Sequence, residues 1–139
     1  MIQNRSVPPA SVIPELAYDD VVEASEWLCK AFGFRQRLRI GSHRVQLVFG
    51  DGALIVIERK KTEGDRSDAL THAVLVRVDD ADRHHEQAVR AGARILQPPT
   101  DFPYGERQYN AEDLGGHHWT FSESIADVDP ADWGGTLKE

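Results

Sequence analysis

The sequence predicts an α+β fold built from two tandem β-α-β-β-β units, and two observations lead to this prediction. The pair Asp19-Asp20 recurs 60 residues later as Asp79-Asp80, and each pair stands between a strand-like apolar run and a helix-like segment. Residues 31–35 (AFGFR) end the first of these segments, and residues 90–94 (RAGAR) end the second after nearly the same distance. A pattern that restarts at such a period indicates an internal duplication.

The first unit covers residues 11–59, after a Pro-containing leader at residues 1–10. Asp20 is the predicted N-cap of a helix over residues 20–33, because a carboxylate there accepts hydrogen bonds from free backbone N–H groups. Trp27 and Phe32 lie on the apolar face of this helix and are predicted to be buried. Alternating or continuously apolar runs predict the strands, near residues 11–18, 34–40, 44–49 and 53–59.

The second unit covers residues 71–123, after a charged linker at residues 60–70 and before an acidic tail at residues 124–139. Its helix is predicted at residues 80–92, and Pro98–Gly105 is predicted to be a loop. A tight turn with paired glycines separates the last two strands. The predicted strands lie near residues 71–78, 94–96, 106–112 and 117–122.

The composition disfavours several classes of function. A net charge of -7 disfavours binding to a phosphate backbone, which needs clustered Lys and Arg. No apolar run approaches the roughly 20 residues of a membrane span, and the first residues lack a signal-peptide core. The single Cys29 cannot form an internal disulfide. We therefore expect a soluble, cytoplasmic protein without nucleic-acid or membrane partners.

The last predicted hairpin, residues 113–121 (DLGGHHWTF), resembles the corresponding hairpin of the vicinal oxygen chelate superfamily. That superfamily contains glyoxalases, bleomycin-resistance proteins and extradiol dioxygenases. Residues 20–34 resemble its first helix and the exit from it, and residues 91–93 resemble the second exit. With the duplication, the resemblance extends over about residues 11–123. It implies curved mixed sheets around an open cavity with a small-molecule site, and it implies a homodimer.

The metal site of that superfamily is predicted to be absent. Its metal-using members ligate one divalent ion with four side chains, mostly His and Glu, which suit such ions. The resemblance places these positions at Ile13, Val56, Ala73 and Thr120. The first three have no ligand atom, and a neutral hydroxyl is a poor ligand. We therefore expect no metal cofactor, and we expect these residues to form an apolar cavity floor with one polar point.

A displaced metal site is the alternative. Strand alternation puts Glu15 on the same face as Ile13, Glu58 with Val56, and His118 with Thr120. A metal shifted by one residue pair would then use Glu15, Glu58 and His118.

Two further residues are candidates for contact with a ligand. Arg107 and Tyr109 share one face of the strand before the last hairpin, and a guanidinium beside a phenol at a cavity rim can hold a planar or anionic molecule. The competing interpretation is that Arg107 pairs with Glu106 or Glu112 and that Tyr109 only packs.

These observations predict a protein that binds a small organic molecule in its cavity without the usual metal. One alternative is a lyase, isomerase or dioxygenase that uses the displaced metal as a Lewis acid. Another is a metal-free enzyme in which Glu15 or Glu58 is a desolvated general base. The catalytic candidates are therefore Glu15, Glu58 and His118. A structural or regulatory dimer without a ligand is the fourth hypothesis, and the acidic tail is expected to help seal the dimer contact.

Overall fold

The duplication is confirmed by the computed structural model, which describes residues 4–59 and 72–136. The chain divides into two compact units, residues 1–69 and residues 70–139. Each unit contains one α-helix and one four-stranded mixed sheet, and the strands of both sheets follow the same order. The fold is therefore α+β with tandem β-α-β-β-β units, as the sequence predicts. The predicted linker at residues 60–70 lies outside the described residues.

The first unit begins with strand β1, which pairs in parallel with β4, and the other neighbours in its sheet are antiparallel. The strand order across this sheet is β1-β4-β3-β2. Its elements are β1 (Glu15–Tyr18), α1 (Val21–Phe32), β2 (Arg35–Ile40), β3 (Arg44–Phe49) and β4 (Gly52–Glu58).

The second unit repeats this arrangement, with β5 parallel to β8 and the order β5-β8-β7-β6 across the sheet. Its elements are β5 (Val74–Arg77), α2 (Ala81–Arg90), β6 (Arg94–Phe102), β7 (Glu106–Glu112) and β8 (His118–Ser124). A short 3-10 helix, Pro130–Trp133, follows in the acidic tail.

The predicted N-caps of both helices are confirmed. The Asp20 carboxylate accepts a hydrogen bond from the backbone N–H of Glu23 at 3.0 Å, and Asp80 accepts one from Arg83 at 3.0 Å. Gly33 ends α1 in the left-handed conformation, with φ of 86°, which a residue with a side chain rarely adopts.

β1 and β6 differ most from their predicted bounds, and proline explains both differences. β1 begins at Glu15 rather than at residue 11, because Pro14 has no N–H to donate to a ladder. β6 continues to Phe102, although Pro98–Gly105 was predicted to be a loop. Register shifts between Ile95 and Gln97 and between Gln97 and Thr100 leave Pro98 and Pro99 outside the paired positions, so the strand passes through them.

In each unit, the apolar core lies between the helix and one face of the sheet. Six α1 residues are buried, whereas α2 buries only Ala81 and Ala88. Phe32 is fully buried, but Trp27 is only half-buried and contacts Phe32 edge-on, with ring centroids 5.0 Å apart. Trp27 is therefore less buried than Phe32, although both were predicted to be largely buried. No helix among the described residues is long and apolar enough to cross a membrane.

Candidate functional site

The pairing register assigns each strand residue to one of two sheet faces, because directly paired residues point to the same side. In the first unit, the helix-facing side contains Leu16, Tyr18, Val45, Leu47, Leu54 and Val56, each at most 3% exposed. In the second unit it contains Tyr109, Ala111, Trp119 and Phe121, all at 0%. We call the opposite side the non-helical face of each unit.

The non-helical face of the second unit is strongly polar. Asn110 lies at its centre and is paired across the strands with Thr120 on one side and Gln97 on the other. The Nδ2 of Asn110 donates to the Gln97 Oε1 at 3.0 Å. The Oδ1 of Asn110 is the one buried side-chain polar atom among the described residues without a hydrogen-bond partner. A buried acceptor without a partner is costly, so this atom marks a place where a donor is missing.

Carboxylates lie on either side of Asn110 along β7, and both are already engaged. Glu106 accepts hydrogen bonds from the Ser122 hydroxyl at 2.5 Å and from the Gln108 amide at 3.0 Å. Glu112 lies 3.3 Å from the Arg94 guanidinium and 3.8 Å from the His118 imidazole. The unsatisfied acceptor therefore stands between two polar clusters that hold their own side chains in place.

Apolar surface adjoins this polar face. Leu75, which is paired with Thr120 on the side away from Asn110, is 56% exposed. At the end of the face, Ser124 also lines a surface depression of about 440 Å³ that continues along residues 125–127.

The predicted site residues are distributed over both faces. Thr120 and His118 lie half-buried on the non-helical face of the second unit, as predicted. Ile13 is half-buried before β1, and Ala73 is exposed before β5. Val56 was predicted to line the cavity, but it is fully buried on the helix-facing side, paired with Leu16.

Val56 and Glu58 lie on the sheet face opposite to the predicted one, which corresponds to an offset of one residue along β4. Ile55 and Ile57 occupy the non-helical face instead, because a shift of one residue exchanges the faces of a strand. Glu58 alternates with Val56 and is exposed on the helix-facing side of the sheet, paired with Tyr18.

Arg107 and Tyr109 lie on the helix-facing side of the second unit, and not at a rim of its non-helical face. Tyr109 is fully buried, its hydroxyl is 2.5 Å from the His84 Nδ1, and its ring stacks on Phe121. Burial raises the pKa of Tyr109 well above its ordinary value. Of the two interpretations of Tyr109, packing is therefore the one that the structure supports.

The partners of Arg107 come from two elements. Its guanidinium lies 2.6 Å from Asp101 on β6 and 3.2 Å from Asp82 on α2. The hydrogen bond from Arg107 lowers the pKa of the Asp101 carboxyl. Neither Glu106 nor Glu112, the predicted partners, is involved, because both point to the other face. Arg107 thus connects the helix to the sheet.

The residues at the family's metal positions do not fit a divalent ion. Ile13 and Ala73 offer no donor atom, Val56 faces the helix, and Thr120 offers only a hydroxyl. The alternative ligands Glu15 and Glu58 cannot bind the same ion either, since they lie on opposite faces of one sheet. Within residues 4–59 and 72–136, no group of three or more His, Cys, Asp or Glu side chains is arranged to hold a metal ion.

The carboxylates predicted as general bases are not desolvated. Glu15 is exposed and paired with Arg44 at 2.8 Å, and Glu58 is exposed at the end of β4. A general base of the expected kind needs burial to shift its protonation toward neutral pH. The structure brings neither residue into such an environment.

Sequence reasoning missed the residues that carry the site. The signal was present in β7, where Glu106, Gln108, Asn110 and Glu112 occupy every second position. Arg107 and Tyr109 occupy the alternate positions of this strand and face the helix, whereas the polar residues between them are half-buried on the non-helical face. Alternation alone separates the two faces, but it does not say which of them the helix covers.

Comparison with known proteins agrees with this architecture. Residues 11–121 match the family model of the Glyoxalase/Bleomycin resistance protein/Dioxygenase superfamily. The crystal structure of TioX from Micromonospora sp. ML1 is 37% identical, with a TM-score of 0.69, and the match covers 82% of this chain and 98% of TioX. No curated protein sequence matches the chain.

Two more distant structures share the fold alone. One is a glyoxalase/bleomycin resistance protein/dioxygenase family enzyme from Burkholderia phytofirmans PsJN, 17% identical, with a TM-score of 0.68 over 81% of this chain and 97% of the other. The other is a lactoylglutathione lyase from Agrobacterium tumefaciens, 18% identical, with a TM-score of 0.63 over 93% of this chain and 100% of the lyase.

Proposed function

Because this chain belongs to the Glyoxalase/Bleomycin resistance protein/Dioxygenase superfamily, we propose that it binds a small organic molecule on the non-helical face of its second unit, without a metal ion. The observation that carries the proposal is the unsatisfied Oδ1 of Asn110. The atom itself is buried, so a ligand N–H or O–H would satisfy it after the half-buried Asn110 side chain turns toward the ligand, and Thr120 beside it offers a second polar contact.

The chemistry of the ligand follows from the neighbouring side chains. Glu106 and Glu112 are engaged with protein donors, so the ligand need not be charged. Leu75 would contact an apolar part of the molecule on the far side of Thr120. The ligand is therefore a small molecule with at least one hydrogen-bond donor for Asn110 and an apolar part that contacts Leu75.

Asn110 provides the test of this site. Saturation-transfer NMR with a panel of small aromatic amides, anilines and phenols would identify binders of the wild-type protein. Asn110→Leu should weaken each binder by about tenfold or more, since it removes an acceptor that is buried with the ligand donor. Val89→Ala, at an exposed position of α2, is the matched control and should bind as wild type does. Equal binding by Asn110→Leu would contradict the site.

The absence of a metal requirement is tested separately. We expect elemental analysis of protein purified without chelator or affinity tag to find only substoichiometric divalent metal. Treatment with a chelator should leave ligand binding unchanged. Stoichiometric zinc, nickel, iron or manganese, removed by chelator together with ligand binding, would overturn this part of the proposal.

We also propose that the protein is a homodimer. Ile40 on edge strand β2 and Leu96 on edge strand β6 are 39% and 41% exposed. Exposed apolar side chains on edge strands favour association with another chain. Light scattering should give the mass of two chains, and an Ile40→Asp/Leu96→Asp variant should give the mass of one. A monomeric wild-type protein would contradict the proposal.

A further inference from the structure

The non-helical face of the first unit holds a segment of the chain itself. The Gln46 Nε2 donates to the backbone carbonyl of Ser6 at 2.8 Å, and the Arg37 Nη2 donates to the carbonyl of Arg5 at 2.9 Å. The Arg37 Nη1 also donates to the Gln46 Oε1 at 2.6 Å, so the two side chains are fixed relative to each other. We call residues 4–8 the N-terminal segment.

The hydrogen bonds from Arg37 and Gln46 to this segment are made to its main chain. Arg37 and Gln46 contact two adjacent carbonyl groups, whereas Arg5 and Ser6 themselves are exposed. The segment maintains its own shape through a turn, in which the Asn4 Oδ1 accepts from the Ser6 N–H at 3.0 Å. Adjacent amide carbonyls are common to every peptide, so these two hydrogen bonds do not depend on the Arg5 and Ser6 side chains, although Pro8 of the segment is also buried.

The Gln46 side-chain amide depends on the acceptor that the Ser6 carbonyl provides. Gln46 is 3% exposed, and a buried amide that loses its acceptor is destabilising. Its Nε2 and the Arg37 Nη2 together form a pair of donors directed at two consecutive carbonyl oxygens. When the N-terminal segment leaves, both donors become exposed to water, so a molecule that replaces the segment must present two acceptors at the same spacing to compete with water.

We propose that Arg37 and Gln46 form a binding site for adjacent amide carbonyls of a peptide-like ligand, and that the N-terminal segment occupies this site until such a ligand displaces it. The proposal rests on small-molecule binding by the protein and adds a ligand class and an internal competitor. It concerns the first unit, so it is separable from the Asn110 site of the second unit.

The test uses a variant that lacks residues 1–10 and a blocked peptide with the sequence of residues 4–10 (NRSVPPA). Deletion should shift the NMR resonance of the Gln46 side-chain amide, and added peptide should return it toward its position in the full chain. Half-saturation is expected below about 1–10 mM, because a segment tethered at an effective concentration in that range occupies the site only if its own dissociation constant is lower. No response of this resonance to saturating peptide would overturn the proposal.

A second peptide tests whether the carbonyl groups are what is recognised. Replacing Arg5 and Ser6 by alanine in the peptide leaves both carbonyls in place, so it should bind within about threefold of the original, whereas each tenfold loss corresponds to about 1.4 kcal/mol. A loss of tenfold or more would show that side chains are recognised and would contradict the proposal. The truncated protein with Arg37→Leu keeps the Gln46 amide resonance and lacks the donor to the Arg5 carbonyl, so it is the matched control and should bind either peptide at least tenfold more weakly.

The full-length Gln46→Leu variant gives an independent measurement if the truncated protein does not fold. Backbone relaxation of residues 5–7 should report increased motion, because both anchoring donors depend on Gln46. Unchanged order in these residues would overturn the proposal. Binding of donor molecules at Asn110, measured in the same variant, should persist, so failure of one site does not imply failure of the other.

Discussion

Asp113 shows how a single side chain organises the last hairpin. It is 6% exposed, and its Oδ1 accepts from the backbone N–H groups of Gly115 and His117, each at 2.9 Å. Its Oδ2 accepts from the Trp119 Nε1 at 3.0 Å, which connects the turn to the core. Gly116 has a φ of 85°, the left-handed conformation that this turn requires.

We therefore expect Asp113→Ala to lower the free energy of unfolding by about 2–4 kcal/mol, because three donors lose a charged acceptor in a buried environment. Asp113→Asn retains one acceptor oxygen and should cost less. Urea denaturation measures both changes. Leu114→Ala, at a 45% exposed position of the same turn, is the control and should be nearly neutral. Equal stability of Asp113→Ala and Leu114→Ala would contradict this role.

Tyr109 should make stability depend on alkaline pH. Burial raises its pKa in the folded protein above the ordinary value near 10, while the unfolded chain titrates normally. Protonated Tyr109 therefore contributes fully to the free energy of unfolding below about pH 10. This contribution is lost as the pH rises through the raised pKa of the folded protein, because tyrosine ionises at a lower pH in the unfolded chain.

The difference between the wild-type protein and Tyr109→Phe isolates this effect from other titrating groups. The free energy of unfolding of the wild-type protein should fall more steeply above about pH 10 than that of Tyr109→Phe. At neutral pH, Tyr109→Phe should cost about 0.5–1.5 kcal/mol through the lost contact with His84. Parallel pH profiles for the two proteins would show that Tyr109 ionises in the folded state as it does in water.

At the scale of elements, the two N-caps make matched predictions. Asp20→Ala and Asp80→Ala should each lower the free energy of unfolding by about 1 kcal/mol, because each removes the acceptor for one free N–H group. Asp19→Ala and Asp79→Ala change the preceding exposed carboxylates and should have little effect. Thermal denaturation of the four variants checks this. Equal effects within either Asp-Asp pair would contradict the assignment of the cap.

The caps also explain how much of the fold was predictable. Both helices and all eight strands were predicted, because capping carboxylates and apolar periodicity can be recognised from residues that are close together in the sequence. Which face of a strand the helix covers depends on tertiary packing and cannot be recognised from neighbouring residues in the sequence. Val56 was predicted to line the cavity from its spacing to the preceding turn, but it lies on the helix-facing side. An error of one residue in this spacing is enough to exchange the two faces.

The candidate site was predicted only in part for the same reason. Thr120 and His118 were predicted to share one face and do so, whereas Arg107 and Tyr109 were predicted at a cavity rim and lie on the helix-facing side. The sequence gives no sign that Arg107 pairs with Asp82 and Asp101, since these residues lie on other elements. An unsatisfied acceptor such as the Asn110 Oδ1 cannot be predicted from the sequence either, because it depends on which atoms surround it in three dimensions.

At the scale of the whole molecule, the duplication has produced two units with equivalent topology and unequal cores. α1 buries Val21, Ala24, Ser25, Leu28, Ala31 and Phe32, whereas α2 buries two alanines. Burial of large apolar side chains supplies most of the stability of a helix on a sheet. α2 depends more on polar contacts, namely Arg107 with Asp82 and His84 with Tyr109.

We therefore expect α2 to open more readily than α1. Hydrogen exchange resolved by NMR should show amides in the middle of α2 exchanging at least tenfold faster than those of α1, a difference in opening free energy of about 1.4 kcal/mol. Asp80→Ala should accelerate exchange in α2 and leave α1 unchanged, whereas Asp20→Ala should do the reverse. Exchange of both helices at one common rate, shifted equally by either variant, would mean that they open in a single cooperative step despite the difference in what they bury.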